Sequence, residues 1–302
     1  MSTTAILLIL LSAGIHVSWN LVGKRSASSV AFFWLANAFG VLLLLPVLLI
    51  FRGAAFHIPG PVWVLLAATG FFEALYYASL AKAYRHGEMS IAYPLARAFP
   101  ILFVALVTAL LGRGERISSL SLAGMLLVFA GCVILPLENP ARVRLHDFIN
   151  PATGLALLAA VGTAGYSMVD DQALRLLREL PQTRLPVFEA ALIYSFWEAL
   201  SAALFLLPLC LITRSDRQEL RETLRTSQRS AFWMGAGIFA AYSLVLVAMA
   251  FVRDISYVVA FRQTSIPIGT LVGVLLLKER AYPLKFIGSV VIFVGLVMVG
   301  VG

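Results

Sequence analysis

Ten apolar stretches recur along the chain, at about 3–23, 28–51, 61–84, 90–111, 118–137, 152–172, 187–212, 231–252, 255–277 and 284–301. A helix needs roughly 20 such residues to cross a hydrocarbon core. Polar punctuation separates most of them: Lys24-Arg25, Arg52-Gly53, Pro59-Gly60-Pro61, Arg85-His86-Gly87, Arg113-Gly114 and Asn139-Pro140. Backbone groups in lipid must be satisfied within their own segment, so each run is expected to be helical. Pro46, Pro94, Pro100 and Pro267 fall inside runs and predict kinks rather than ends. The longest polar stretch, 213–230, is expected to be a solvated loop or a surface helix. The pattern predicts an all-α integral membrane protein of ten transmembrane helices, with no soluble domain attached. No basic residue precedes Ala5–Ile15, and the run continues into His16, Trp19 and Asn20, so the first stretch is read as a retained helix rather than a leader.

The two halves of the chain repeat. Glu115, Arg116, Gly124 and Gly131 fall on Glu279, Arg280, Gly288 and Gly295 at a constant offset. At a slightly different offset Tyr76 falls on Tyr242 and Ser90 on Ser256, the difference being absorbed by the turn Gly112-Arg113-Gly114. A third offset places His16 on Tyr166 and Asn20 on Asp170. Five spans per unit end on the opposite side from where they began. The expected organisation is therefore two units, 1–138 and 150–302, inserted with opposite topology around a central cavity.

Composition agrees with this reading. Apolar residues make up 61% of the chain and charged residues 13%, too lopsided for a soluble globule. The net charge of +8 does not point to nucleic acid, because the basic residues flank the apolar runs, where they report topology and headgroup contact. They favour the side away from both termini as cytoplasmic. Cys132 and Cys210 lie in apolar runs and suggest no disulfide. His16, His57, His86 and His146 lack ligand spacing, so neither a metal nor a cofactor is expected.

Ionisable groups inside spans are costly and usually face a cavity. Ser12, His16, Asn20 and Lys24 recur every four residues on one face of the first span. Glu73, Tyr76, Tyr77 and Tyr84 share a face of the third, and Tyr93 precedes Arg97 by one turn in the fourth. Arg97 and Arg262 each lie about 10 Å deep, from opposite ends. A guanidinium binds a carboxylate or phosphonate through two parallel hydrogen bonds. Arg97 and Arg262 are thus candidates for holding an acidic group of a small-molecule substrate. His16, Asn20, Tyr76, Tyr77, Tyr93, Tyr166 and Tyr242 are candidates for lining its site. Glu73 is the candidate for coupling to protons; the alternative is that Glu73 and Glu198 neutralise the arginines permanently. Glu198 is expected to be structural. Asp170 and Asp171 fall near a span end, where a carboxylate in interfacial water needs no partner. Gly269-x-x-x-Gly273 is expected to mark a close helix contact.

No phosphate-binding loop, zinc-protease or serine-hydrolase motif occurs, which argues against an enzyme or an ATP-driven pump. A flippase for a lipid-linked substrate is the main alternative to a metabolite carrier. An intramembrane enzyme is a weaker one.

Several segments resemble the drug/metabolite transporter superfamily, of the EamA type. They are His16-Val-Ser-Trp-Asn20 with Lys24, Ser90-Ile-Ala-Tyr-Pro-Leu-Ala-Arg97, Leu111-Gly-Arg-Gly-Glu-Arg116, Ser256-Tyr-Val-Val-Ala-Phe-Arg-Gln263 and Leu277-Lys-Glu-Arg280. The resemblance implies ten helices in inverted repeats and secondary transport by alternating access. It further implies export of amino acids or related metabolites, by a monomer in the cell's inner membrane surrounded by lipid. Gln263 stands where sugar-phosphate members carry a second basic residue beside the one matching Arg262. That turns the expectation towards a carboxylate, amino acid or aminophosphonate. The resemblance implies cytoplasmic termini, opposite to the charge distribution.

Overall fold

The computed structural model describes residues 1–23, 29–86, 89–137, 150–179, 184–276, 278 and 282–302, and their side chains except at 19–23, 84–86 and 89–94. Every regular element among them is helical. They are α1 (Thr3–Gly23), α2 (Val30–Ile50), α3 (Arg52–Ala55), α4 (Gly60–His86), α5 (Met89–Thr108), α6 (Ser119–Ile134) and α7 (Pro151–Glu179). The second half continues with α8 (Val187–Leu209), α9 (Arg214–Thr226), α10 (Gln228–Ala248), α11 (Ile255–Phe261), α12 (Ser265–Leu275) and α13 (Pro283–Val301).

Eight spans among the described residues are long and apolar enough to cross a membrane, α11 and α12 together forming one of them. The expected first and fifth spans carry shorter apolar stretches, Thr3–Ser18 and Ser119–Ile134. The difference from ten has a simple cause in α6. Its 16 residues rise only about 24 Å, short of a hydrocarbon core about 30 Å thick. Leu42, Leu49, Val64, Leu110, Leu275, Phe293 and Val301 are exposed. So broad an apolar surface suits lipid rather than water. The chain is a multi-pass membrane protein.

Helix ends follow local chemistry. Ser29, Ser118 and Asp254 cap α2, α6 and α11 by accepting backbone N–H groups. Gly112, at φ 71°, lets the chain turn sharply after α5. The polar stretch after α8 is a surface helix, α9, opened by a capping box between Thr213 and Asp216. Its Leu220 packs beside Ala31 and Cys210 while its arginines stay exposed.

The expected ninth span is interrupted. A 3-10 turn, Arg262–Thr264, separates α11 from α12. Pro267 lacks an amide proton and its ring crowds the carbonyl four residues back, which breaks the ladder here.

Helices pack in characteristic pairs: α4 with α7, α1 with α10, α6 with α13, and α2 with α8. Small residues set the closest approaches. A Cβ on Gly124 would meet the Gly295 carbonyl oxygen at 2.6 Å, and one on Gly295 would meet that of Gly124 at 2.6 Å. Gly131 stands 2.8 Å from the Gly288 carbonyl oxygen by the same construction, so α6 and α13 run antiparallel. Gly70 is closed in by Ser201 on α8, and Gly235 by Ala36 on α2. Gly269 is different: its nearest neighbour, Val17, lies at 3.7 Å, an ordinary contact rather than the close one expected.

Candidate functional site

Residues from both halves of the chain meet between the helix pairs. Arg97 on α5 reaches the broken ninth span. Its Nη2 donates to Ser265 Oγ at 2.7 Å and to the Arg262 carbonyl oxygen at 3.3 Å. Ser265 Oγ donates to the same carbonyl at 3.0 Å. The 3-10 turn already gives that carbonyl the Ser265 backbone N–H, and the two side chains add to it. The other terminal nitrogen, Nη1, lies 3.4 Å from Nε2 of His16 on α1.

Arg262 points the other way, over aromatic faces. Its guanidinium carbon is 5.0 Å from the Tyr242 ring centre and 5.9 Å from that of Tyr166. Nη2 donates to Tyr166 Oη at 3.4 Å. Tyr166 sits edge-on to both Tyr76 and Tyr242, with centroids 6.1 and 5.7 Å away. An aromatic face attracts a cation by about 0.5–2 kcal/mol, which falls short of neutralising it.

Neither guanidinium is ion-paired among the described residues, where the salt bridge found is Arg175 with Asp171. Arg97 Nε and Arg262 Nη1 are buried and meet no acceptor. Glu73 and Glu198 therefore do not neutralise the two arginines by direct contact. The arrangement can accept an anion on two sides.

Below the tyrosines lies Asp170, fully buried. Thr69 Oγ1 and Tyr194 Oη both donate to its Oδ1, at 2.5 and 2.8 Å, and Tyr242 Oη donates to its Oδ2 at 2.5 Å. Four helices, α4, α7, α8 and α10, are tied at this carboxylate. The sequence placed Asp170 near a span end. In the fold α7 continues to Glu179, with Arg175 covering Asp171 one turn on, and this sinks Asp170 into the interior. Its spacing from Tyr166, one helical turn, was the available signal.

The candidates divide accordingly. His16, Arg97, Arg262, Tyr166, Tyr242 and Tyr76 converge. Tyr77 turns to Phe33 on α2, with ring centres 4.8 Å apart, while still touching Tyr76. Glu73 and Glu198 are buried beside the Asp170 cluster. The side chains of Asn20 and Tyr93 lie outside the described residues. Among the described residues no three His, Cys, Asp or Glu side chains gather as a metal site.

The chain is helical and multi-pass, and its two halves share a charged centre. Residues 3–136 match the model of the EamA-like transporter family. A protein known from its crystal structure is similar in fold, with a TM-score of 0.69 at 20% sequence identity, over 100% of this chain and 99% of its own. No curated protein matches the chain.

Proposed function

We propose that the protein is a secondary transporter exporting a small metabolite with an acidic group, such as an amino acid, aminophosphonate or organic anion. It works by alternating access as a monomer in the inner membrane, with Arg97 and Arg262 holding the acidic group. The observation that carries this reading is the pair of half-buried guanidiniums, one from each half, each with a buried nitrogen that meets no protein acceptor. His16, Asn20, Tyr76, Tyr77, Tyr93, Tyr166 and Tyr242 line the site in this reading, and Glu73 is where a coupled proton binds.

Alternating access needs two exchangeable halves, and helix packing supports units at 1–138 and 150–302. The pairing of α4 with α7 has its counterpart in α10 with α1. The contact of Gly70 with Ser201 matches that of Gly235 with Ala36. Both correspondences, 70 to 235 and 36 to 201, are the same number of positions apart. The fifth span of each unit, α6 or α13, packs against its own counterpart antiparallel, as inverted topology requires.

A thermal-shift screen of purified protein against amino acids, aminophosphonates, dicarboxylates, sugar phosphates and nucleosides tests the reading, since a ligand of the folded state raises its stability with concentration. Stabilisation by one acidic class, abolished in Arg97→Ala and Arg262→Ala, is the expected outcome. Equal stabilisation of the variants, or proteoliposome uptake of that ligand unchanged by both substitutions, overturns the assignment of the arginines.

A further inference from the structure

We infer that Glu73 and Glu198 form an interhelical carboxyl pair holding one exchangeable proton between them. The inference deepens the proton-coupled reading above, and rests on it for the use made of that proton.

Geometry brings the two side chains together. Thr69 on α4 and Tyr194 on α8 converge on a single oxygen, Asp170 Oδ1. The two helices run parallel: Trp63 stacks edge-on to Trp197, and Phe71 to Phe205 further along. One turn beyond Thr69 is Glu73, and one turn beyond Tyr194 is Glu198. Four residues along parallel neighbours carries each carboxyl to the next level of the same interface. Their carboxyl groups are neighbours there.

Neither carboxyl has the partners that a buried anion requires. Glu198 is 0% exposed, and both of its oxygens meet no hydrogen-bond donor; Glu73 is 6% exposed, and its Oε2 meets none. Two bare carboxylates side by side without a donor would carry a large desolvation cost. A proton placed between them supplies the missing donor and removes one charge.

Every charged or titratable group facing the pair is compatible with this. Asp170 on α7 is nearby but spends its oxygens on three hydroxyls. Arg262 of the ninth span is the cation facing both carboxyls, and it forms no ion pair with either. Tyr77 on α4, Tyr194 on α8 and Tyr242 on α10 also face the pair.

Packing does not call for the pair. At the matching interface of α2 with α10, the spatial correspondence of Gly70 with Gly235 and Ala36 with Ser201, one position off the Tyr76–Tyr242 alignment, sets Ile238 and Phe33 in the places of Glu73 and Glu198. Those two residues belong to one apolar cluster. The same helix-on-helix geometry is thus achieved with hydrocarbon, so two acids at this one interface point to a proton as ligand.

Infrared pH-difference spectra of the protein in lipid read the proton directly, as the C=O stretch of a buried carboxylic acid. The expected result is such a band in the parent protein, lost in Glu73→Gln/Glu198→Gln and retained in Asp171→Asn. Persistence of the band in the double Gln variant overturns the inference. Glu73→Met/Glu198→Met guards against a folding artefact: its unfolding temperature is expected at or above that of the parent. A fall in that temperature would show the pair to be a packing element and overturn the inference as well. Neither readout uses a substrate, so both stand whatever the arginines bind. A transporter whose solute uptake ignores pH while the band behaves as expected would sink the coupling and leave the proton site in place.

Discussion

Arg97 Nη2 donates to the Arg262 carbonyl oxygen at 3.3 Å, so the two guanidiniums are fixed relative to each other across the halves of the chain. Arg97 is held by the backbone of the residue whose own side chain forms the opposite wall. Shifting either half moves both cations.

Replacing Arg262 by Ala is expected to weaken binding of the acidic ligand by about 10- to 100-fold, the loss of a charged hydrogen-bond pair of about 1.5–3 kcal/mol. Arg262→Lys should recover little, because an ammonium lacks the planar fork and stacks less well on Tyr242. Calorimetric titration of both variants with the ligand found in the screen checks this.

Asp170→Ala is expected to destabilise the protein by about 3–5 kcal/mol, as for other broken buried charge networks. Three hydroxyls from three helices lose their common acceptor. Asp170→Asn keeps one acceptor oxygen and should cost less. Thermal unfolding in a mild detergent separates the two, and equal midpoints for parent and Ala variant would refute the tie.

Gly295→Ala is expected to cost about 1–3 kcal/mol through overpacking, because the new methyl meets the Gly124 carbonyl oxygen at 2.6 Å. Gly269→Ala, with 3.7 Å to Val17, should lie within experimental error of the parent. The same unfolding assay compares them, and a larger loss at Gly269 would reverse the assignment of close contacts.

Asp254→Ala is expected to cost about 0.5–2 kcal/mol, the range for losing a helix cap. Its Oδ1 accepts from Ser256 N at 2.9 Å and Oγ at 2.6 Å, and from Thr108 Oγ1 on α5 at 3.3 Å. Thr108→Val should remove only the last of these and cost less. Stability measurements on the two variants and their combination test whether the contributions couple.

Much of this architecture was legible along the chain. Long apolar runs have few alternatives to helix in lipid, so the all-helical, multi-pass organisation could be read from hydropathy alone. Asp170 could not, because two acids and a glutamine in succession mimic the end of a span. Their burial depends on Arg175 and on hydroxyls from Thr69, Tyr194 and Tyr242, contributed by three other helices. Periodicity describes one helix face at a time and is silent on which faces converge. The break at Arg262 was partly legible from Pro267, but the capture of its carbonyl by Arg97 was not. The charge partner sought for each arginine proved to be backbone and aromatic rings instead of Glu73 or Glu198.

A carboxylate accepts and never donates, and this gives the Asp170 knot a direction. Tyr242 owns one hydroxyl proton, and that proton is committed to Asp170. Towards anything else its oxygen offers only lone pairs. A visiting molecule that reaches it must bring its own N–H or O–H, while the guanidiniums above ask for the opposite polarity. On the proposed reading the centre would address two ends of a guest in complementary senses, as a lock does with a two-sided key, and a solute with an acid at one end and an amine or hydroxyl at the other would satisfy both.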